Sequence, residues 1–423
     1  MTQEGWIQQL NAPRKEDRLA ALQALADGIA RGEVPRPQTG TDVNNHIHTI
    51  YSFSPYSPTK AVWMAYNAGL QTAGIMDHDS ISGAREFMEA GAIIGIKTTI
   101  GVECRASMAG TAMAGRKLNN PDQANVAYMA LHGIPHQNID RVAAYFAPYS
   151  AKRNVRNARM VERINQLFAP YGIALSFEQD VKPLSMWQEG GSITERHLLF
   201  ALAGKIIARY GRGEQTVAFL EQQTGMHFSP KVRGFLCDGQ NPYYDYDLLG
   251  ALKSDLIGKI YIDADEECPP VAEVLAFGRE IGAISAYAYL GDVGDSVTGD
   301  KKAQKFEDDF LDELFDVLDD LGYNAVTYMP SRNTRAQLDR VRALCEAHGL
   351  FQISGEDINS PRQQFVCEAQ RDPAFAHLRD ATFALIGHEK EASIDVTRAL
   401  FAPQTVAAMP TLAQRIAYYK EKA

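Results

Sequence analysis

His46 and His48, with Ile47 between them, are the side chains in this sequence best suited to hold a metal ion. On an extended segment, residues two apart project to the same side. Both imidazoles can then reach one divalent cation. Alone, such a pair is as readily two hydrogen-bonded histidines. The weight comes from three further residues, each closing an apolar run: His78 within Asp77-His78-Asp79-Ser80, Glu103 after Thr98 to Val102, and His132 after Val126 to Leu131. Successive candidates stand about 30 residues apart, the length of one strand-helix unit. This spacing predicts each of them at the carboxyl end of a successive strand, the edge where parallel α/β structures assemble their sites. Imidazole and carboxylate donors without thiolate suit Zn²⁺, Mn²⁺ or Fe²⁺.

The elements that must position these residues begin near Thr41. Residues 1–40 form a helical extension, with Trp6, Ile7, Leu10, Leu19, Leu22, Leu25 and Ile29 at helical spacing. Ser57-Pro58 supplies an N-cap and a first-turn proline, and Gly69 a stop. A helix over 82–92 follows the His78 strand. Four strands with intervening helices predict a parallel sheet, and ligands that come from several strands yet meet at one point favour a barrel over an open sheet. The beat breaks over 150–270, where 156–167, 194–210 and 244–256 read as helices of an insertion. It returns with a helix over 271–281, a strand over 283–290, an amphipathic helix over 302–321, a strand over 323–328, a helix over 335–347 and a strand over 350–354. The barrel thus comprises 41–149 and 271–400, and 401–423 forms a C-terminal helix.

With 423 residues the chain exceeds a usual single-domain core. Its formal charge of −10 argues against a long nucleic acid partner, which would want a basic face. Five widely spaced cysteines without C-x-x-C suggest reduced thiols in a cytoplasmic protein. No signal peptide and no long apolar span point to a membrane.

These motifs resemble those of the PHP (polymerase and histidinol phosphatase) superfamily: His46-Ile47-His48-Thr49 with Ser52 and Ser57-Pro58, Met76-Asp77-His78-Asp79, and Gly101-Val102-Glu103. The helical insertion resembles that of the subgroup acting on nucleotide and RNA-end phosphates, with Thr194-Glu195-Arg196-His197 in the place of a ligand segment. The resemblance implies a distorted seven-stranded β/α barrel and hydrolysis of phosphoesters by a metal-bridging hydroxide. It also implies that His46, His48 and Asp357 hold one metal, that Glu103 bridges, and that His132 and His197 complete a second site. Phe53-Ser54, Tyr289 and Asn359 stand where relatives carry further ligands or site histidines, so a third site is weak or absent and His78 becomes a reserve ligand or a catalytic proton donor.

The expectation is a two-metal phosphoesterase for a nucleotide or other small phosphorylated metabolite. Arg196 takes up phosphoryl charge, and Arg156, Arg159 and Arg163 are either a second phosphate contact or a solvated helix face. Asp77 and Asp79 are expected to orient His78. A metal-binding scaffold without turnover is the alternative, and carbon–nitrogen bond cleavage a more distant one.

Overall fold

The computed structural model describes residues 2–293 and 304–423. Two helices, α1 (Gln3–Gln9) and α2 (Lys15–Ala30), precede the barrel. Then come β1 (Val43–Ile47), α3 (Pro58–Asn67), β2 (Thr72–His78), α4 (Ala84–Ile94) and β3 (Lys97–Ser107). The Ser57 side chain accepts from Lys60 N and Pro58 occupies the first turn, which starts α3 where the sequence predicts. Gly95, at φ 82°, closes α4 in the left-handed region that disfavours other residues.

The next strand, β4 (Val126–His132), departs from expectation. It runs antiparallel to both neighbours, whereas all other pairings in the seven-stranded sheet are parallel. Residues 108–125, with three asparagines, two glycines and a proline, fold into turns, with no helix to carry a parallel crossover. The reversal moves the carboxyl end of β4 to the opposite edge, so His132 pairs with Gly101, two residues below the Glu103–Ala130 pair.

The helix α5 (Ile139–Phe168) is 30 residues long and begins well before the helix expected from 156. Its buried stripe opens with Ile139, Val142 and Phe146 on the barrel and continues with Met160, Val161 and Ile164 in the helical region. There α5 meets α6 (Glu195–Tyr210), α7 (Glu214–Gln222), α8 (Pro230–Cys237) and α9 (Tyr244–Ile260) around a separate core that includes Leu198, Leu202, Leu248 and Leu252. Phe53, from the loop after β1, belongs to that core.

The chain returns through α10 (Val271–Ile281), β5 (Ile284–Ala288), α11 (Leu311–Leu321), β6 (Ala325–Tyr328), α12 (Arg335–Ala347) and β7 (Phe351–Ser354). The helix expected from 302 starts only at 311, its first two residues lying outside those described. Phe306 N donates to Asp292 Oδ1 at 2.6 Å and Glu307 accepts from Leu290 N at 2.8 Å, polar contacts that hold this stretch in a loop.

Past β7 the backbone rejoins β1. His48 N donates to Ile358 O and Ile358 N to His46 O, at 2.9 and 3.1 Å, closing the ring. The helix α13 (Ala376–Ile394) packs Ala381, Ala384 and Leu385 against Ile284, Ala286, Ala325, Phe351 and Ile353. Its Glu389 accepts from Thr99 Oγ1 and Ile100 N, so it stoppers the barrel at the edge away from Glu103. The expected C-terminal helix is two, α14 (Pro403–Ala408) and α15 (Leu412–Lys420), because Pro410 disfavours helical backbone at Met409. No described helix is long and apolar enough to cross a membrane.

Candidate metal centre

The end of β1 carries His46 and His48, and the closing turn brings Asp357 beside them. His48 Nε2 lies 3.2 Å from His46 Nε2 and 3.1 Å from Asp357 Oδ1. Glu103 Oε2 is 3.7 Å from His46 Nε2, 3.9 Å from His48 Nε2 and 2.9 Å from His78 Nδ1. One donor atom each from His46, His48 and Glu103 falls within 4.8 Å of the others, and all three residues are buried. Two nitrogens and a carboxylate oxygen converging on one small space fit a divalent transition metal.

Charge follows the same geometry. Burial works against ionised Glu103, but His78 and His46 overcome it and hold its carboxyl well below the usual range. Asp357, also penalised by burial, is held down by His48, His46 and Arg196. His46 is raised because Glu103 and Asp357 outweigh its burial, whereas burial lowers His48.

His48 is also prepared from behind. Ser52 Oγ donates to Asp77 Oδ1 at 2.6 Å, so its oxygen receives the proton of His48 Nδ1, 3.2 Å away. That assigns the tautomer with Nε2 unprotonated and facing the cluster. Asp77 also accepts from Thr49 N and Thr49 Oγ1. Neither aspartate beside His78 orients it as the sequence suggested: Asp77 serves His48 through Ser52, and Asp79 pairs with Arg153.

His132 and His197 stand apart from this group. His132 is buried under Glu103 with its Nε2 lacking any hydrogen-bond partner among the described residues. Burial and the neighbouring His46 push it down to about 3, so it is a neutral imidazole with a nitrogen to spare. His197 sits in the first turn of α6, where Nδ1 accepts from Thr194 N at 3.0 Å as a helix cap. Burial lowers it to about 3 as well. A capped Nδ1 leaves the proton on Nε2, which makes His197 a hydrogen-bond donor in this arrangement. Phe53 meets it edge-on, 5.0 Å between ring centres.

Positive charge faces the carboxylates from the helical region. Arg196 is half-buried and forms no ion pair among the described residues; burial lowers it against the pull of Asp357. Lys253 of α9, which no sequence pattern singled out, is lowered first by Arg196 and then by burial. Arg156, by contrast, is consumed in buried pairs with Glu195 and Glu267, Arg163 donates to Tyr261 O, and Arg159 is exposed. Tyr289 donates to Asp308 Oδ1 at 2.6 Å, away from the cluster, and Asn359 donates to Asp357 Oδ1 at 2.7 Å, the oxygen that also faces His48.

Residues 44–179 match the PHP domain family. Among solved structures the chain is similar to a candidate metal-dependent phosphoesterase from Bifidobacterium adolescentis, with 21% identity and a TM-score of 0.50 over 80% of this chain and 96% of that one. It is also similar to an amidohydrolase from Chromobacterium violaceum bearing sulfate and no metal, with 16% identity and a TM-score of 0.50 over 77% and 90%. At such identities the likeness concerns the fold. The chain has no match among curated proteins. The family match thus covers the segment that carries His46, His48, His78, Glu103 and His132, and the two solved structures share the fold around it.

Proposed function

We propose that this chain hydrolyses the phosphoester of a small phosphorylated metabolite or short nucleotide, using two divalent ions. His46, His48, Glu103 and Asp357 would hold the first, with Glu103 shared. His132, whose spare Nε2 needs a partner, would serve the second. Bound divalent metal supplies Lewis acidity toward water and phosphoryl oxygens at neutral pH. The remaining chemistry belongs to side chains. Arg196 and Lys253 would draw the phosphoryl oxygens against the cluster. His197 would donate Nε2–H to one of those oxygens, a role its cap favours over the ligand role the resemblance implies. His78, a quarter exposed, has Nδ1 on Glu103; carrying a second proton on Nε2, as an imidazolium, it would protonate the departing alkoxide and be left neutral. The five unpaired cysteines fit a reducing, cytoplasmic setting.

The observation that carries this reading is the meeting of a buried His/carboxylate cluster with two cations, Arg196 and Lys253, that have no carboxylate of their own within ion-pair reach among the described residues. A panel of nucleotides, sugar phosphates and phosphorylated amino alcohols, assayed with Mn²⁺, tests it. Turnover abolished by chelator and by His48→Ala is expected. Metal bound without turnover of any phosphoester would overturn the proposal in favour of a metal-binding scaffold.

A further inference from the structure

Six charged side chains from five stretches of chain meet where the barrel joins the helical region: Asp79, Arg105, Arg153, Arg156, Glu195 and Glu267. Arg156 Nε is 2.7 Å from Glu267 Oε2, Arg105 lies 3.4 Å from Glu195 Oε1, and Arg153 Nε is 3.6 Å from Glu267 Oε1. Arg153 also pairs with Asp79, Arg105 with Glu267, and Arg156 with Glu195. The three arginines and Glu267 are each no more than 6% exposed. Three positive and three negative charges balance.

Such a cluster is a poor way to gain stability, because removing six charges from water costs about what their attraction returns. Apolar side chains of similar volume would pack at least as well. What ion pairs add is a fixed mutual placement, and here the partners adjoin the site. Asp79 follows His78, and Arg105 lies two residues beyond Glu103 on β3. Glu195 is the first residue of α6, directly before Arg196 and His197. Asp79 holds a left-handed backbone at φ 50°, unusual away from glycine, with its N–H on Glu103 O at 2.8 Å and its carboxylate on Arg153. The barrel half and the helical half of the site are thus tied through one set of contacts.

We infer that Glu195, held between Arg105 of β3 and Arg156 of α5, is a positioning residue that sets Arg196 over the imidazole and carboxylate cluster. Affinity for a phosphoryl group then depends on ion pairs that never touch it. The inference rests on the phosphoester reading.

A double-mutant cycle on the full chain with Mn²⁺ tests it, with inorganic phosphate as the probe. Glu195→Gln is expected to weaken phosphate binding about tenfold and Arg196→Ala by at least as much. The double variant should bind no more weakly than Arg196→Ala alone, because Glu195 acts through Arg196. Mn²⁺ affinity should stay near wild type in all three. A merely structural Glu195 would give losses that multiply, or would leave phosphate binding unchanged in a folded variant; either result overturns the inference. If Glu195→Gln lacks a cooperative melt, the charge-preserving Arg156→Lys takes its place in the same cycle, with the same outcomes. Wild-type protein that binds Mn²⁺ but neither binds phosphate nor hydrolyses phosphoesters overturns the functional reading, and this inference with it.

Discussion

Ser52→Ala is the sharpest probe of the metal centre, because it removes one oxygen and leaves every candidate ligand in the sequence unchanged. In the native arrangement that oxygen passes a proton to Asp77 at 2.6 Å and receives the one on His48 Nδ1 at 3.2 Å. His48 is 1% exposed and Ser52 is fully buried. The variant leaves a buried ring N–H without an acceptor, a cost of roughly 1–3 kcal/mol. The ring escapes that cost by moving its proton to Nε2, where the metal must bind. Either way, affinity should fall about 10- to 100-fold, the range found when a ligand histidine loses its orienting partner. Mn²⁺ titration calorimetry on folded protein reads this directly, with His48→Ala as the control that removes the ligand. Wild-type affinity in a folded Ser52→Ala protein would refute the tautomer argument.

Three further outcomes follow from buried charges. Glu307 is pushed up from 4.5 to about 7 by burial, against the backbone N–H groups of Leu290 and Gly291. A carboxyl raised in the folded state stabilises fully below its unfolded value and loses that contribution as pH rises through about 7, so Glu307→Gln should exceed wild type in stability at pH 8 by up to roughly 3 kcal/mol, read by urea unfolding. His388 is lowered from 6.5 to about 4 by burial, donating to Gly133 O and accepting from Leu400 N. Its contribution is complete above 6.5 and disappears as pH falls to about 4, so melting curves of His388→Gln should depend less on pH across that window than those of wild type. Arg18 and Glu86 pair at 2.5 Å with side chains 1% and 3% exposed, fastening α2 to α4. Glu86→Gln strands the guanidinium and should cost roughly 3–5 kcal/mol in denaturant unfolding.

How much of this could be read from the residues differs by element. His46, His48 and His78 were legible because strand periodicity is local and each closes an apolar run, whereas Glu103, expected at the end of its strand, lies within β3, which runs on to Ser107 because Cys104 to Ser107 keep pairing with β4. The helices over 271–281 and 335–347 were legible for the corresponding reason, a regular apolar stripe. The direction of β4 was not, since an apolar strand looks the same either way and only the turns of 108–125 decide it. The partners of Asp77 and Asp79 were hidden because hydrogen bonding is set by tertiary placement: Asp77 reaches back to Ser52, and Asp79 across to Arg153. Lys253 lay in a helix with nothing to distinguish it from a solvated lysine, and the six-charge cluster joins residues as far apart in sequence as Asp79 and Glu267. His197 stands where the ligand segment belongs, yet its ring is turned to cap its own helix.

The stopper formed by α13 has a consequence for traffic through the molecule. With that rim covered by Glu389 and the small apolar core of α13, a phosphorylated reactant would approach the cluster from the side of Arg196 and Lys253 under the proposed reading. On the phosphoester reading, a product phosphate would leave past the same cations that drew the reactant in.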